Sequence, residues 1–203
     1  MNTERFRMLS GWVDYYRPIL IQNALTKNQK ILYFHKRLKM VLIIPIREIY
    51  KSFTRRKKYS STVLCFGTCI CCALEALGKF YTGKTSRGNS GSNFRAFVDK
   101  YMDHRFLQTL YGVTYRDLLW ENFRNGLAHG FTIKNGGFEF QRSYFQIKTI
   151  GAIDKLEIDP EHFYNDFTRG VTKYIRDLKA ASPTQPISVN FEKAFQDIFI
   201  RGI

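Results

Sequence analysis

Residues 63–80 read VLCFGTCICCALEALGKF, a run that is apolar on nearly every side when it is wound as an α-helix. Ser60, Ser61 and Thr62 precede it and are typical of helix N-caps, and its second half contains the strong helix former ALEAL. A helix without a polar face belongs in the middle of a bundle, where neighbouring helices cover it. The run therefore predicts a helical bundle built around this segment.

All four cysteines of the chain lie in this run, and Cys65, Cys69 and Cys72 share one stripe of the helix because they are spaced i, i+4, i+7. One straight helix cannot surround a tetrahedral zinc ion. Cysteines this close in sequence also do not close the loops that a disulfide framework needs. We interpret them as buried structural thiols of a reduced protein, and we expect no metal and no cofactor.

The flanking sequence predicts further helices joined by short links. Residues 93–102 and 114–129 carry apolar side chains at helical spacing, and residues 84–92 form a loop by composition. A last long helix begins with Pro160 at its first position, and a short helix over residues 190–200 follows a linker. Helices joined in this way are typical of a bundle.

Between these helices the pattern changes to an alternation of apolar and polar residues. Phe131-Thr132-Ile133 and Phe138-Glu139-Phe140 flank Lys134-Asn135-Gly136-Gly137, which is typical of a tight β-hairpin. The fold class that we predict is all-α: an up-and-down helical bundle with a small β-hairpin after the helix that ends near His129. We divide the chain into a basic, mostly helical segment (1–58), the bundle (59–181), and a linker with a short C-terminal helix (182–203).

The composition narrows the class of protein. The chain has 203 residues, with 32 Lys and Arg against 17 Asp and Glu, a formal net charge of +15. Its 18 Phe and 12 Tyr exclude a disordered chain, and its 14 Gly and 5 Pro exclude a collagen-like one. So positive a balance favours a polyanionic partner, either nucleic acid or an anionic membrane surface.

The first residues have no apolar core of the signal-peptide type. The longest uncharged run, residues 59–74, has 16 residues and is shorter than the ~20 that span a bilayer. We therefore expect a soluble, cytoplasmic protein without membrane contact. A peripheral membrane protein is an alternative, because the apolar run MVLII at residues 40–44 lies beside many basic residues.

The positive charge is concentrated between Lys27 and Lys58, where eleven Lys or Arg stand against one acid, Glu48. Aromatic residues are interleaved with these cations, which favours a surface that follows a phosphate backbone. The candidates for RNA binding are Lys36, Arg37, Lys39, Arg55, Arg56, Lys57 and Lys58. The alternative is a solvated helix face beside an apolar stripe.

Residues 78–85, GKFYTGKT, match the G-x4-G-K-[ST] pattern of nucleotide-binding loops. Such a loop needs a buried strand before it and a helix that begins directly after the Lys. Here the preceding run is helical, and the following SRGNSG is not expected to begin a helix. We interpret the match as a surface loop at a helix end, with a nucleotide-binding protein as a minor alternative.

Residues 120–130, WENFRNGLAHG, place Arg124 and His129 five residues apart near the end of an amphipathic helix. A His can give or take a proton near neutral pH, and an Arg presents a permanently charged fork to phosphate oxygens. Together they supply what cleavage of an RNA backbone needs without a metal ion. The alternative is a His favoured by the dipole at a helix C-terminus and an Arg that is a plain surface cation.

The spacing of Arg124 and His129 also bears on the assembly. On an ideal α-helix the two residues lie about 140° apart. Either Gly126 and the helix end bring them together, or a second copy of the motif completes the site. The spacing thus predicts a homodimer.

Arg124-Asn125-x-x-x-His129 at the end of a bundle helix resembles the motif of the HEPN superfamily, and the order of elements over residues 60–180 is similar to it. The resemblance implies a homodimeric helical bundle. In many members it implies a metal-independent endoribonuclease of a toxin–antitoxin, CRISPR or other defence system. Arg124 and His129 would then be catalytic, with Asn125 as their polar companion.

The same resemblance implies products that carry a 2′,3′-cyclic phosphate and a 5′-hydroxyl. It also includes inactive members that bind nucleic acid or a protein partner, and an antitoxin or another protein is the partner to expect besides RNA. Glu121, one turn before Arg124, is the residue that we expect to orient it. The other histidines, which have no comparable partner in sequence and are expected on the surface, are His35, His104 and His162.

Overall fold

The computed structural model describes residues 25–54, 61–125, 136–141, 143–150 and 153–200, and over these it is mostly helical with a small sheet. The prediction of a mainly helical protein is thereby confirmed. The described helices and strands are α1 (Lys27–Leu38), α2 (Ile44–Thr54), α3 (Ser61–Thr82), α4 (Ser90–Tyr101), β1 (Thr109–Leu110), β2 (Val113–Thr114), α5 (Tyr115–Leu118), β3 (Gly136–Phe138), β4 (Phe145–Ile150), β5 (Ile153–Ile158), α6 (Pro160–Ala180) and α7 (Pro186–Phe195). Wider π-helical turns continue α1, α5 and α7, at Lys39–Ile43, Leu119–Asn125 and Gln196–Ile200.

α3 lies in the middle of the described structure, as its apolar sequence predicts. Phe66, Leu74 and Leu77 are fully buried, and α3 packs against α2, α4, α6 and α7. Gly78 allows a close approach to α4, since a Cβ at this position would overlap the backbone carbonyl group of Asn93. The bundle core is therefore built around α3.

α3 also has the length and apolar composition of a membrane-spanning helix over Thr62–Thr82, 21 residues, and no other helix of the described ranges has them. The uncharged run of the sequence is shorter than this helix, because Glu75 and Lys79 lie within α3. Of its most apolar window, 61% is buried inside the protein. Such burial is typical of the core helix of a soluble protein.

α6 begins where the sequence predicts it. The Asp159 side chain caps the helix by accepting a hydrogen bond from the backbone N–H of His162, and Pro160 lies in the first turn. The apolar residues that recur at helical spacing along α6 are all buried, namely Phe163, Phe167, Val171, Tyr174, Ile175 and Leu178. α6 therefore supplies one wall of the core.

Residues 25–54 of the predicted basic segment pack on the bundle and do not stand apart from it. Phe34 of α1 is buried, and its ring lies edge-on at 6.4 Å from the Tyr174 ring of α6. Lys30 of α1 forms an ion pair with Glu192 of α7. The rest of this segment lies outside the described residues.

The predicted hairpin places Gly136 and Gly137 in its turn, and this placement is wrong. Both glycines lie in β3, which pairs in parallel with β5, while β4 and β5 form the antiparallel hairpin. The strand order is β3-β5-β4. Gly136 serves a close approach and not a turn, because a Cβ there would lie 2.7 Å from both the Leu156 carbonyl oxygen and the Phe123 ring. The predicted first arm, residues 131–133, lies outside the described ranges.

Two helices begin earlier than the sequence predicts. α4 begins at Ser90 and not at Asn93, because the 3₁₀ turn Arg87–Asn89 leads directly into it. α7 begins at Pro186 and not at Asn190, since proline has the φ angle that a first helical turn requires. The predicted loop and linker are correspondingly shorter.

Candidate active site on the motif helix

The Arg–His motif begins near the end of a helix that consists of α5 and the π-helical turn Leu119–Asn125, which together are called the motif helix below. Leu119 and Phe123 are fully buried and fix the rotation of this helix about its axis. Arg124 and Asn125 lie half-buried at its described end. His129 belongs to residues 126–135, which lie outside the described structure.

Arg124 is held by three neighbours. Its Nε and Nη2 donate hydrogen bonds to Glu75 Oε2 at 3.2 and 2.7 Å, and its Nη1 donates to Asn125 Oδ1 at 3.1 Å. The guanidinium lies over the Trp120 ring at 4.8 Å from its centroid, a cation–π contact. The side chain of Arg124 is 18% exposed. Arg124 is therefore a fixed guanidinium and not a plain surface cation.

Glu75 on α3 is the carboxylate that orients Arg124, and the prediction that Glu121 does so is wrong. The Glu75 side chain is 11% exposed, and Lys79 Nζ lies 3.3 Å from its Oε1. Burial alone would raise the pKa of Glu75. Hydrogen bonds from Arg124 and Ser90 and the charges of Arg124 and Lys79 outweigh burial, so the pKa lies below its usual value. Glu75 is thus ionised at neutral pH and attracts Arg124.

Glu121 contributes to the polar rim of the site instead. Its Oε2 accepts a hydrogen bond from Asn125 Nδ2 at 3.3 Å, and its Oε1 lies 3.9 Å from Arg95 Nη2 of α4. Asn125 in this way bridges Glu121 and Arg124. It lies beside the guanidinium, and the companion role that the resemblance implies for it stays a prediction.

Glu75 is not among the predicted site residues, although its position in the sequence indicates a buried ion pair. Glu75 is the one acid within residues 63–80. A carboxylate inside a helix that is apolar on all sides needs a cation, since an unpaired buried charge is strongly destabilising. The Arg and Lys residues of the neighbouring helices, Arg124 among them, are the available partners.

The π-helical turn changes the geometric relation between residues five apart. In a π-helix the i→i+5 hydrogen bond places such residues on successive turns, whereas an α-helix separates them by about 140°. Arg124 lies in this wide turn, which ends at Asn125 in the described structure. The described part of the motif helix therefore departs from the ideal α-helix on which the 140° angle is based. The geometry between Arg124 and His129 lies outside the described residues.

The prediction of buried structural thiols holds for Cys71 alone. Burial raises the pKa of Cys71, whereas Cys65 and Cys72 are exposed and Cys69 is half-buried. The reason is that Cys65, Cys69 and Cys72 share a stripe on a side of α3 that the described helices do not cover. Within the described ranges, no three His, Cys, Asp or Glu side chains lie close enough to hold a metal ion.

Three of the predicted RNA-binding cations are described, and all three are exposed: Lys36, Arg37 and Lys39. Arg37 is partly engaged, since its guanidinium lies over the Phe199 ring at 5.3 Å. The predicted cations at residues 55–58 lie outside the described part of the chain.

His162 has a partner that its place in sequence did not suggest. Its Nδ1 lies 2.8 Å from Asp159 Oδ1, and its ring stacks on that of Tyr144 with 5.7 Å between centroids. Because Asp159 is the N-cap of α6, this contact stabilises the start of the helix. His104 is largely exposed, as predicted.

The match to a nucleotide-binding loop at residues 78–85 does not form a phosphate cradle. α3 extends to Thr82, so a helix and not a strand precedes the loop, as predicted. Gly83 ends this helix with a φ of 70°, and the Thr85 hydroxyl donates to Asp197 Oδ2 at 2.9 Å. A helix begins within the segment that follows, contrary to the prediction, but not directly after the Lys that the pattern requires.

No protein-family model, characterised protein or solved structure matches the chain. The likeness to the HEPN superfamily rests on the motif residues and the order of elements. The chemistry of the Arg124 site follows from its own contacts.

Proposed function

We propose that the chain is a metal-independent endoribonuclease of the HEPN type. The observation that carries the proposal is the guanidinium of Arg124, which Glu75 and Trp120 fix in place five residues before His129. A cation held in this way is suited to stabilise negative charge in a transition state, because it needs no rearrangement while the charge develops. Glu75 acts in this proposal as a positioning residue and does not touch the substrate.

Arg124 has hydrogen-bonding capacity left for a phosphate. Its described contacts use three of the five guanidinium N–H groups, two on Glu75 and one on Asn125. The remaining two suit the non-bridging oxygens of a phosphodiester. The partial exposure of the side chain allows a substrate to reach them.

In the proposed reaction the ribose 2′-oxygen attacks the adjacent phosphorus as it loses its proton. The bond from phosphorus to the 5′-oxygen breaks as that oxygen gains a proton. His129 moves these protons, and Arg124 stabilises the charge on the non-bridging oxygens. The products carry a 2′,3′-cyclic phosphate and a 5′-hydroxyl, and the balance of the reaction needs neither a metal ion nor a cofactor.

We expect a homodimer in which two copies of the motif meet, as the resemblance to the superfamily implies. The exposed Cys72 of α3 lies close enough to Arg124 for the guanidinium charge to act on its thiol, so this side of the site is open to a second copy. A toxin or defence effector in the cytoplasm, held in check by an antitoxin or another protein, is the role that fits such an enzyme.

A catalytically inactive module that binds nucleic acid or a protein partner is the second candidate. It is favoured by the ion pair itself, because an Arg whose charge a buried Glu75 compensates also serves as a tie between α3 and the motif helix. The two candidates share the basic surface and differ in the chemistry at Arg124 and His129.

A labelled RNA oligonucleotide in EDTA separates the candidates. Once its cleavage position is mapped, the same strand is made with a 2′-deoxyribose on the 5′ side of that bond. The endoribonuclease should cut the RNA to a 2′,3′-cyclic phosphate and leave the modified position intact, since the nucleophile is missing. Equal cleavage of both strands would contradict the mechanism, and binding without cleavage would favour the inactive module.

A further inference from the structure

A basic groove runs along α6 and is bounded by α1 at one end, and none of the residues that line it contacts Arg124. One concavity of about 610 Å³ is lined by His35 of α1 and by Thr172, Arg176 and Lys179 of α6. A second concavity, of about 490 Å³, shares Thr172 and Arg176 with the first and continues along α6. The two together are called the α1–α6 groove below.

One face of α6 carries a row of cations along this groove. Spaced by four, three and three residues, they are Arg169, Lys173, Arg176 and Lys179, and all four are exposed. They follow the helix axis over about 15 Å. Two of them have acidic neighbours, since Arg169 pairs with the buried Asp166 and Arg176 lies 3.3 Å from Asp177. The row therefore keeps an excess of positive charge.

The other side of the groove adds positive charge to the same place. The pKa of His35 is lowered by burial and by the charges of Lys179 and Lys39, so these two lysines, from α6 and from the turn after α1, lie close to it. The ammonium group of neither lysine has a hydrogen-bond or ion-pair partner among the residues that the structure describes. Like charges gathered without counter-ions repel one another, and a bound polyanion would relieve that repulsion.

We propose that the α1–α6 groove binds the phosphate backbone of the RNA. Cations at intervals of a few ångström along a channel displace the counterions of a nucleic-acid strand, which is the main source of affinity for a backbone. An anionic bilayer, the other polyanion that suits a basic surface, is flat and does not enter a concavity. That the ligand is RNA rests on the proposed function. That it binds at this place rests on the shape and charge of the groove.

The test is the affinity of the full-length protein for a fluorescein-labelled single-stranded RNA of about 16 nucleotides. It is measured by fluorescence anisotropy in EDTA, in a His129→Ala background that prevents cleavage. The groove variant combines Lys173→Gln, Arg176→Gln and Lys179→Gln. The matched control removes the same charge from three exposed positions away from the groove: Lys100→Gln on α4, Lys84→Gln in the loop after α3, and Lys193→Gln on α7.

The groove variant should bind RNA at least about tenfold more weakly at about 150 mM salt, and the slope of log affinity against log salt should fall by about 2. The control variant should lose much less affinity for RNA. A second comparison uses one exposed substitution in each variant: Lys179→Glu in the groove and Lys193→Glu as its control. Circular dichroism checks the fold of every variant.

Equal losses in the groove variant and the control would overturn the proposal. So would a groove variant that binds RNA normally but no longer binds vesicles of phosphatidylserine and phosphatidylcholine. Cleavage assays of the chain with His129 intact keep the two proposals apart. If the groove variant binds RNA weakly and the wild type never cuts RNA, the groove is supported and the ribonuclease is contradicted. If the wild type cuts RNA and the groove variant binds it as tightly as the parent protein, the ribonuclease is supported and the groove is contradicted.

Discussion

Replacing Arg124 by Ala should destabilise the fold through Glu75, which would lose its main partner. The Glu75 carboxylate is 11% exposed, and without Arg124 it keeps Lys79 at 3.3 Å and the hydrogen bond from Ser90. Breaking a buried ion pair by removing one partner costs about 3–5 kcal/mol. Because Lys79 compensates part of the charge and some solvent reaches the pair, we expect a loss of about 2–3 kcal/mol in the free energy of unfolding.

A double-mutant cycle with Glu75→Ala isolates the contribution of the pair. The double variant leaves neither charge unpaired, so the two single losses should exceed the loss of the double variant by about 1.5–3 kcal/mol. The exposed pair of Arg176 and Asp177 on α6 is the matched control, and exposed pairs contribute about 0.2–1 kcal/mol. Urea unfolding at pH 7, followed by far-UV circular dichroism, measures both cycles.

The coupling should also depend on pH in one direction. The folded protein lowers the pKa of Glu75, so between the folded and unfolded pKa values the unfolded chain binds more protons. The stabilisation is complete well above about pH 4.3, the pKa of an unfolded Glu, and is lost as the pH falls through the folded value. A coupling no larger than that of the control pair, or one that does not change in acid, would refute the inference that Glu75 fixes Arg124.

Three further predictions concern other parts of the fold. A maleimide should label Cys65 rapidly in the native protein and Cys71 only on unfolding, because burial excludes the reagent and raises the pKa of the Cys71 thiol; equal rates by mass spectrometry would contradict this. Lys179→Gln should raise the pKa of His35 in an NMR titration, since it removes one of the charges that lower it, and an unchanged pKa would mean that the two residues are not neighbours. Gly78→Ala should cost about 3 kcal/mol or more, because the new methyl group would overlap the backbone of α4, and a wild-type midpoint of urea unfolding would contradict that packing.

The sequence predicts those helices whose pattern is continuous and whose ends carry their own signals. α3 follows from a run that is apolar on every side, and α6 follows from Asp159 and Pro160 at its start. In both, the local preference and the final packing agree, so the chain itself is sufficient to place them.

The errors arise where one residue type serves two purposes. A Gly-Gly pair suits a hairpin turn, but Gly136 is used where β3 passes close to Phe123 and Leu156. A stripe of cysteines on an apolar helix suggests burial, but burial depends on which side of α3 the other helices cover. Such choices depend on tertiary neighbours, which sequence periodicity does not contain.

In the candidate site, too, the sequence predicts the residues that are close in the chain and not those that only the fold brings together. Arg124, Asn125 and His129 follow from their spacing and from the resemblance. Glu75 is separated from Arg124 by 49 residues, and no local pattern joins them. The charges on α6 beside His35 are likewise joined to α1 by the packing of the two helices, and the sequence places them far apart.

The most direct test of the central claim is the cleavage of total RNA by the purified protein in EDTA, with His129→Ala and Arg124→Ala beside the wild type. We expect the wild type to cleave the RNA and both variants to leave it intact, with the fold of each confirmed by circular dichroism. Cleavage that persists in both variants, or a folded wild type that binds RNA without cutting it, would contradict the assignment of a ribonuclease site to Arg124 and His129.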